Sequence, residues 1–384
     1  MKSIQINIFT TDLVWKAAID NVKSFVSRSS WYGIVNSELT ISRTAQGAEE
    51  LVIGRIIIVN NDLNNAMIIE EINASIADDY WNLVLIPLKG MLNYRICHPI
   101  DTGSFTAKTQ AEIMMQLASK NLVTQYRDQD RYFWNAARTL NMFSIAAIKN
   151  FGDSIDFTVD WGTGFIGEAI VQIANMFEDE IGKYPIGWNV YIKNTFNGFV
   201  MDTYSPTNRS INQTINPPVV FSEDFNNIKD ANYANSIRDW ATMAYMTWND
   251  GTNDQTTAVA SVKSGTSTGF TRKEIILDSN KTKSSEVISE GRAEINKRPK
   301  VENFTAEILD NPNTMSTFGV DWFLGDIVTV QTKALKPKSI ISVDTQIIEI
   351  EEIYDNGEYS LNATFGESKL SLIKKIKQAI NSKR

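Results

Sequence analysis

The sequence has one cysteine, Cys97, and one histidine, His98, among 384 residues. A single cysteine excludes an intramolecular disulfide and a cysteine-rich zinc cluster. A single histidine excludes zinc hydrolases that need two or three imidazoles. The two residues are adjacent, so a Cys/His nucleophile and base has to be weighed. Neighbouring side chains on an extended strand point to opposite faces, which places this pair poorly for proton transfer. A Ser/His/Asp triad would have to use the same histidine. No stretch reaches the roughly 18 to 20 continuous apolar residues of a membrane-spanning helix. The segment Met1 to Asn7 lacks the apolar core and small-residue cleavage site of a secretory signal. Synthesis in the cytoplasm without an export signal is the expectation.

Positive charge is also scarce. Lys and Arg number 37 against 45 Asp and Glu, a formal net charge of -8. Duplex binding relies on basic groups that neutralise phosphates, so a general nucleic-acid coat is disfavoured. No tandem repeat of 20 to 50 residues is present.

What is there suits a folded, multidomain chain. Apolar residues make up 43% and charged residues 21%, and nine Trp, twelve Tyr and eighteen Phe supply large rigid contact surfaces. The length allows two or three domains. Residues 1–100 read as strands. Leu51 to Val59 ends apolar on both faces, as a strand covered on both sides would, and a second apolar run, Tyr80 to Pro87, follows the segment Ile68 to Ile76. Short strands at this spacing suggest a barrel or sandwich.

The pattern changes near Asp101. Thr109 and Glu112 fit a capping box, Ala111, Met114, Met115 and Ala118 recur at helical spacing, and Asn121 is the expected stop. A second helix is predicted at 165–177 from Ile166, Ile170, Ile173, Ala174 and Phe177. Stretches 203–218 and 250–269, rich in small polar residues, read as loops. A polar helix is expected at about 284–297.

The best local signal is Asp355-Asn356-Gly357-Glu358. Asn-Gly populates the positive φ values of a two-residue type I′ turn. Such a turn sets Tyr354 opposite Tyr359, Ile350 opposite Ala363 and Ile348 opposite Phe365, with Glu352 facing Leu361 as the misfit. Ser368 to Lys383 reads as a basic amphipathic helix carrying Leu370, Ile373, Ile376 and Ile380. It could dock on its own subunit, form a short three-stranded bundle, or, less readily without Trp or Phe, lie on a membrane.

Other motifs have bland readings. Glu178-Asp179-Glu180 and Asp153, Asp156 and Asp160 supply carboxylates, but a glycosidase needs two of them at a set separation beside a cleft. Trp248 to Asp254 resembles a calcium loop without its closing Glu and reads as a turn. Gly162-Thr163-Gly164-Phe165-Ile166-Gly167 fits G-x-G-x-x-G before a helix, yet no alternating strand and helix series surrounds it. The glycines serve a tight helix entry.

Several segments together resemble the siphovirus tail-hub family, tail-tip proteins related to the N-terminal hub region of tail-associated lysins. They are Leu88 to Arg95; Thr102-Gly103 followed by Ala111 to Met114 and Asn121; Val219 to Ile228 with Tyr233; Arg272-Lys273-Glu274; Val320 to Val328 with its Leu324-Gly325-Asp326; and Thr364-Phe365-Gly366. Trp322-Phe323 stands where the family pattern has a Tyr-containing approach, and the expectation is that any lytic or receptor-binding role sits on another chain.

The resemblance implies an α+β multidomain, β-dominated fold. It has two antiparallel β-barrel domains with an inserted α+β lobe, and three chains form a pseudo-hexameric ring. The expected parts are 1–100 N-terminal β-barrel, 101–210 α+β lobe, 211–299 mixed insertion and connecting helix, 300–367 C-terminal part of the second barrel, and 368–384 terminal helix. The implied role is a non-enzymatic hub of the virion tail tip or baseplate, lining the DNA exit channel without stable nucleic-acid binding or membrane anchoring. Implied partners are two further copies, the distal tail or tail-tube protein, the tape-measure protein, and a central fibre or receptor-binding protein. No catalytic, cofactor or metal residue is assigned. Alternative readings are a tail-associated peptidoglycan hydrolase and a carbohydrate- or receptor-binding tip protein.

Overall fold

The computed structural model describes residues 4–75, 78–98, 104–123, 139–159, 161–176, 184–249, 257–263, 268–281, 284–296, 298, 301–309, 316–333 and 341–366. Seven strands come first: β1 Ile6–Phe9, β2 Trp15–Ile19, β3 Val22–Ser30, β4 Ser37–Ser42, β5 Ile56–Val59, β6 Met67–Ala74 and β7 Tyr80–Pro87. A 3-10 helix, Leu88–Tyr94, follows. The lobe comprises β8 Ser104–Thr109, α1 Gln110–Leu122, β9 Phe143–Ile145, β10 Ser154–Thr158, α2 Ile166–Ala174, β11 Gly187–Ile192 and β12 Phe199–Tyr204. Then come β13 Val220–Ser222, β14 Ile228–Ser236, β15 Met243–Asn249, β16 Thr257–Lys263, β17 Glu274–Ser279, α3 Ser284–Asn296, β18 Val301–Ile308, β19 Ile327–Thr332, β20 Ile341–Asp355 and β21 Glu358–Gly366.

Thirteen strands share one sheet in the order β14-β18-β21-β20-β3-β4-β7-β6-β5-β1-β2, with β19 on β20 and β13 on β19. The order is open at both ends, and no closed ring of strands is present among the described residues. The fold is β-dominated with few helices. The fifteen-residue β20 joins its two halves. Ile347 and Ile350 belong to a C-terminal core with Phe221, Trp322 and Phe365, whereas Tyr354 packs on the N-terminal core 6.3 Å from Phe25. Pairing of β20 with β3 runs from Glu349 opposite Ser30 to Asp355 opposite Ser24.

The two-faced strand is real but shorter than the periodicity implied. All four residues of β5 are buried. Ile57 and Val59 enter the N-terminal core, and Ile56 and Ile58 enter the lobe core beside Met114 and Ile170, because side chains alternate faces. Before β5 the chain turns, with Arg55 N–H donating to Val52 O and Gly54 at φ +86°. That leaves Val52 and Ile53 exposed.

In the lobe, Thr109 caps α1 by accepting from Glu112 N. The Glu112 carboxylate accepts from Lys108 Nζ at 2.7 Å and Gln116 Nε2 at 2.8 Å. Asn121 is not the stop. It lies inside α1, buried, accepting from His98 N at 3.0 Å and donating to Leu117 O at 3.0 Å. Helix α2 ends at Ala174, short of the expected 177. There the buried Gln110 amide donates to the carbonyls of Ile173 and Met176, holding the helix end against α1.

Strands β14 and β18 are direct antiparallel neighbours, so residues 237–300 form an insertion between them. Its strands pair in the order β16-β15-β17, and α3 covers them with Ala244, Met246, Val287 and Ile295 as a small core. The predicted 250–269 loop is wrong at Thr257–Lys263, which is β16. The Thr-Ala-Val-Ala-Ser-Val alternation suits a strand, and counting small polar residues hid it. Likewise, the predicted 203–218 loop begins only after Tyr204, the last residue of β12.

Candidate functional site

A three-way junction is built around Trp31, immediately after β3. Its backbone N–H donates to Ile348 O at 2.8 Å, its carbonyl accepts from Trp188 N at 3.2 Å, and its indole Nε1 donates to Pro185 O at 2.8 Å. The ring is approached by two glycines. A Cβ on Gly187 would stand 2.5 Å from it, and one on Gly325 2.3 Å. Gly325 also holds φ +94°, the left-handed region that favours glycine. One indole therefore ties the N-terminal sheet, lobe strand β11 and the Leu324-Gly325-Asp326 turn together.

Two polar anchors reinforce this turn. Asp326 is buried and accepts from Arg209 Nε at 2.8 Å and Phe323 N at 2.9 Å. Burial nonetheless holds its carboxyl above the usual carboxylate range, outweighing both donors. Gln346 donates to Pro185 O at 3.2 Å and Gly325 O at 3.0 Å.

Lys89 closes the junction from the other side. Its ammonium is buried, donates to Ser30 O at 2.6 Å and lies 5.3 Å from the centre of the Trp188 ring. Burial pulls it down to about 7, with Glu349 acting weakly in the opposite direction.

Three of the segments singled out in the sequence converge on the C-terminal core. Phe221 meets Trp322 edge-on at 5.2 Å and Phe365 at 5.1 Å. Three segments far apart in sequence thus share one aromatic cluster. Trp322 is fully buried here, so the departure from the expected Tyr fills the core without displaying a hydroxyl. Asn227 closes the adjoining turn, accepting from Ser222 N and donating to Val220 O.

Those chemistry-bearing candidates that are described are tied into the packing of the lobe. Cys97 and His98 are both buried, with Cys97 N–H on Gly164 O and His98 N–H on Asn121. The G-x-G-x-x-G segment packs against the end of the 3-10 helix. Ile166 N–H donates to Arg95 O at 3.0 Å, and a Cβ on Gly167 would stand 2.3 Å from Asn93 Oδ1. Close packing explains that glycine. Asp156 accepts from Ala107 N at 2.8 Å and supports its positive φ of 50°. Trp248 and Asn249 finish β15. Asp160, Phe177, Glu178 to Glu180, Asp250 to Asp254, Thr102-Gly103 and the 368–383 segment lie outside the described residues.

A groove of about 480 Å³ runs across β3, β20, β21, β18 and β14. Two rows of residues in register cross these strands. Arg28, Glu351, Asn362, Glu307 and Lys229 form one, and Ser30, Glu349, Thr364, Thr305 and Asn232 form the other. Arg28 pairs with Glu351 and Glu38, each at 2.8 Å, and Lys229 with Glu307 at 2.8 Å.

Over residues 5–367 the sequence matches the family described as Siphovirus ReqiPepy6 Gp37-like protein. The chain belongs to this family. The tail-hub resemblance read from the residues is therefore borne out at family level. No curated protein sequence matches the chain. Among solved structures, the Gp37-like chain shares its fold with the 43 kDa tail protein of prophage MuSo2 from Shewanella oneidensis, at 12% identity and TM-score 0.55, covering 95% of this chain and 98% of that one. The tail protein from Neisseria meningitidis MC58 matches at 12% and 0.55, covering 96% and 97%. Prophage tail protein gp18 from Listeria monocytogenes EGD-e matches at 12% and 0.52, covering 98% and 99%.

Proposed function

We propose that this Gp37-like chain is a structural hub of a phage tail tip or baseplate. The observation that carries this reading is the family match across nearly the whole chain, joined to a fold shared end to end with three tail proteins. In this reading residues 1–100 form one barrel-like half, 101–210 the lobe, and 300–367 the other half together with strands β13 and β14, with 237–299 as the insertion and connecting helix. Three copies form a ring with six similar units, positioned between the tail tube and a central tip or fibre. The partners are the distal tail or tube protein, the tape-measure protein and the fibre or receptor-binding protein. The role is mechanical and involves no reaction.

The Trp31 junction supports a mechanical role: it locks both halves and the lobe through one packed centre, and close-packed interiors transmit strain. Closed rings of this kind use heterologous contacts between copies. The test is solution mass and electron microscopy of the purified protein, alone and with its neighbouring tail proteins, with antibody labelling of particles. A threefold ring with a central opening and label at the tail tip is expected. Label elsewhere on the particle, or no ring in either preparation, overturns the reading. Tight, salt-sensitive duplex binding by the ring would reject passage of DNA through a non-holding channel.

A further inference from the structure

The groove across β3, β20, β21, β18 and β14 is acidic at its lining and rim. Glu38, Glu307, Glu349 and Glu351 stand there against Arg28 and Lys229. Beside it lies an apolar strip. Val26 and Ile353 are opposite one another and half-buried, two residues along from Arg28 and Glu351, and so on the same face of the sheet. The groove therefore offers carboxylates next to a short apolar surface.

The chain leaves the sheet beside this place. Thr364 lines the groove, and β21 ends two residues later at Gly366. The sequence that follows carries Lys369, Lys374, Lys375, Lys377, Lys383 and Arg384 against one acid, Glu367, and intersperses Leu370, Ile373, Ile376 and Ile380. It is thus complementary to the groove in both respects, basic where the groove is acidic and apolar where the strip is apolar.

We propose that the groove is the seat of this chain's own segment 367–384. Single exposed ion pairs contribute little. A tether of a few residues changes the balance, because it raises the effective concentration of the lysines at the groove to the millimolar range, about where several weak contacts add to a stable one. This contact is independent of the hub reading: it concerns one chain and would hold in a monomer.

The test is zero-length carbodiimide cross-linking of the full chain, using a dilute mixture of light and heavy-isotope protein. Same-isotope links from Lys369, Lys374, Lys375 or Lys377 to Glu307, Glu349 or Glu351 are expected, falling several-fold at high salt as screening weakens the contact. In the Lys374→Glu, Lys375→Glu, Lys377→Glu variant the link from the unchanged Lys369 should also fall several-fold while the thermal melt stays unchanged. Links found only between light and heavy chains would assign the groove to a second copy and overturn the proposal. So would equal linking to remote acids such as Asp12 and Glu286, or no links from the segment at all.

Discussion

Gly325 has no room for a side chain because the ring of Trp31 occupies it, 2.3 Å from where a Cβ would be. The neighbour is a tryptophan whose backbone is bonded on both sides and whose indole N–H is fixed on Pro185 O, so it does not swing aside as the end of a flexible chain would. Gly325→Ala adds left-handed strain at φ +94° to this overlap. Together these are expected to cost about 2 to 5 kcal/mol. Trp31→Ala should cost about 3 to 5 kcal/mol, and the double variant much less than the sum, since removing the ring removes the clash. Denaturant unfolding of the four proteins measures this; strict additivity would reject the junction as drawn.

Two buried tryptophans should respond differently to the same change. Trp188 donates its indole N–H to Tyr32 O at 2.7 Å. The N–H of Trp322 is buried among aromatic rings with no acceptor among the described residues. Trp188→Phe takes the indole donor away from the Tyr32 carbonyl, whereas Trp322→Phe removes a donor that has no acceptor among the described residues, along with some packing volume. Trp188→Phe is expected to be the more destabilising by about 1 to 2 kcal/mol. Equal unfolding midpoints for the two variants would contradict this.

The hairpin shows how far local pattern carries. Asn356 and Gly357 have φ of 49° and 87°, as a type I′ turn requires. Tyr354 faces Tyr359, Glu352 faces Leu361 and Ile350 faces Ala363, as the alternation predicts. Glu352 is the apparent misfit that the structure explains, since its carboxylate accepts from Tyr359 OH at 3.0 Å. Gly357→Ala should cost about 1 kcal/mol and Asn356→Gly almost nothing, because only the first forces a Cβ into positive φ. Thermal unfolding would show it, and equal losses would argue against this turn type.

One pair further along, the register departs from the pattern: Ile347, not Ile348, faces Phe365. A bulge falls there because β20 changes partners. The carbonyl of Ile348 takes Trp31 N–H, and Ile347 exchanges hydrogen bonds with Gly325 and Asp326. No spacing in the 340s announces a demand made by residues 31 and 325. The same holds for Asn121, read from the sequence as a helix stop, and for Gln110, a polar residue at the start of α1. Both are buried because each satisfies backbone groups of another segment. Periodicity revealed the faces of β5 and the existence of three helices, since those depend on neighbours in sequence. The junction depends on neighbours in space, and it was visible only as a family likeness of Leu324-Gly325-Asp326.

Lys89 gives the junction a pH dependence whose sign is fixed by burial. In the folded chain its ammonium loses its proton near 7, against an ordinary value of 10.5 when unfolded. Between these limits the unfolded chain holds the extra proton, so stability contributed by this residue rises with pH from about 7 to about 10.5 and is flat below 7. The slope approaches about 1.4 kcal/mol per pH unit. Lys89→Met keeps much of the stem's packing and removes the titration, at the expense of the bond to Ser30 O. The difference in unfolding free energy, variant minus wild type, should therefore fall steadily from pH 7 to pH 10, starting in the variant's favour if the buried charge outweighs its bond to Ser30. A difference that stays constant across that range would mean the ammonium reaches water and is not enclosed by Ser30, Trp188 and Glu349.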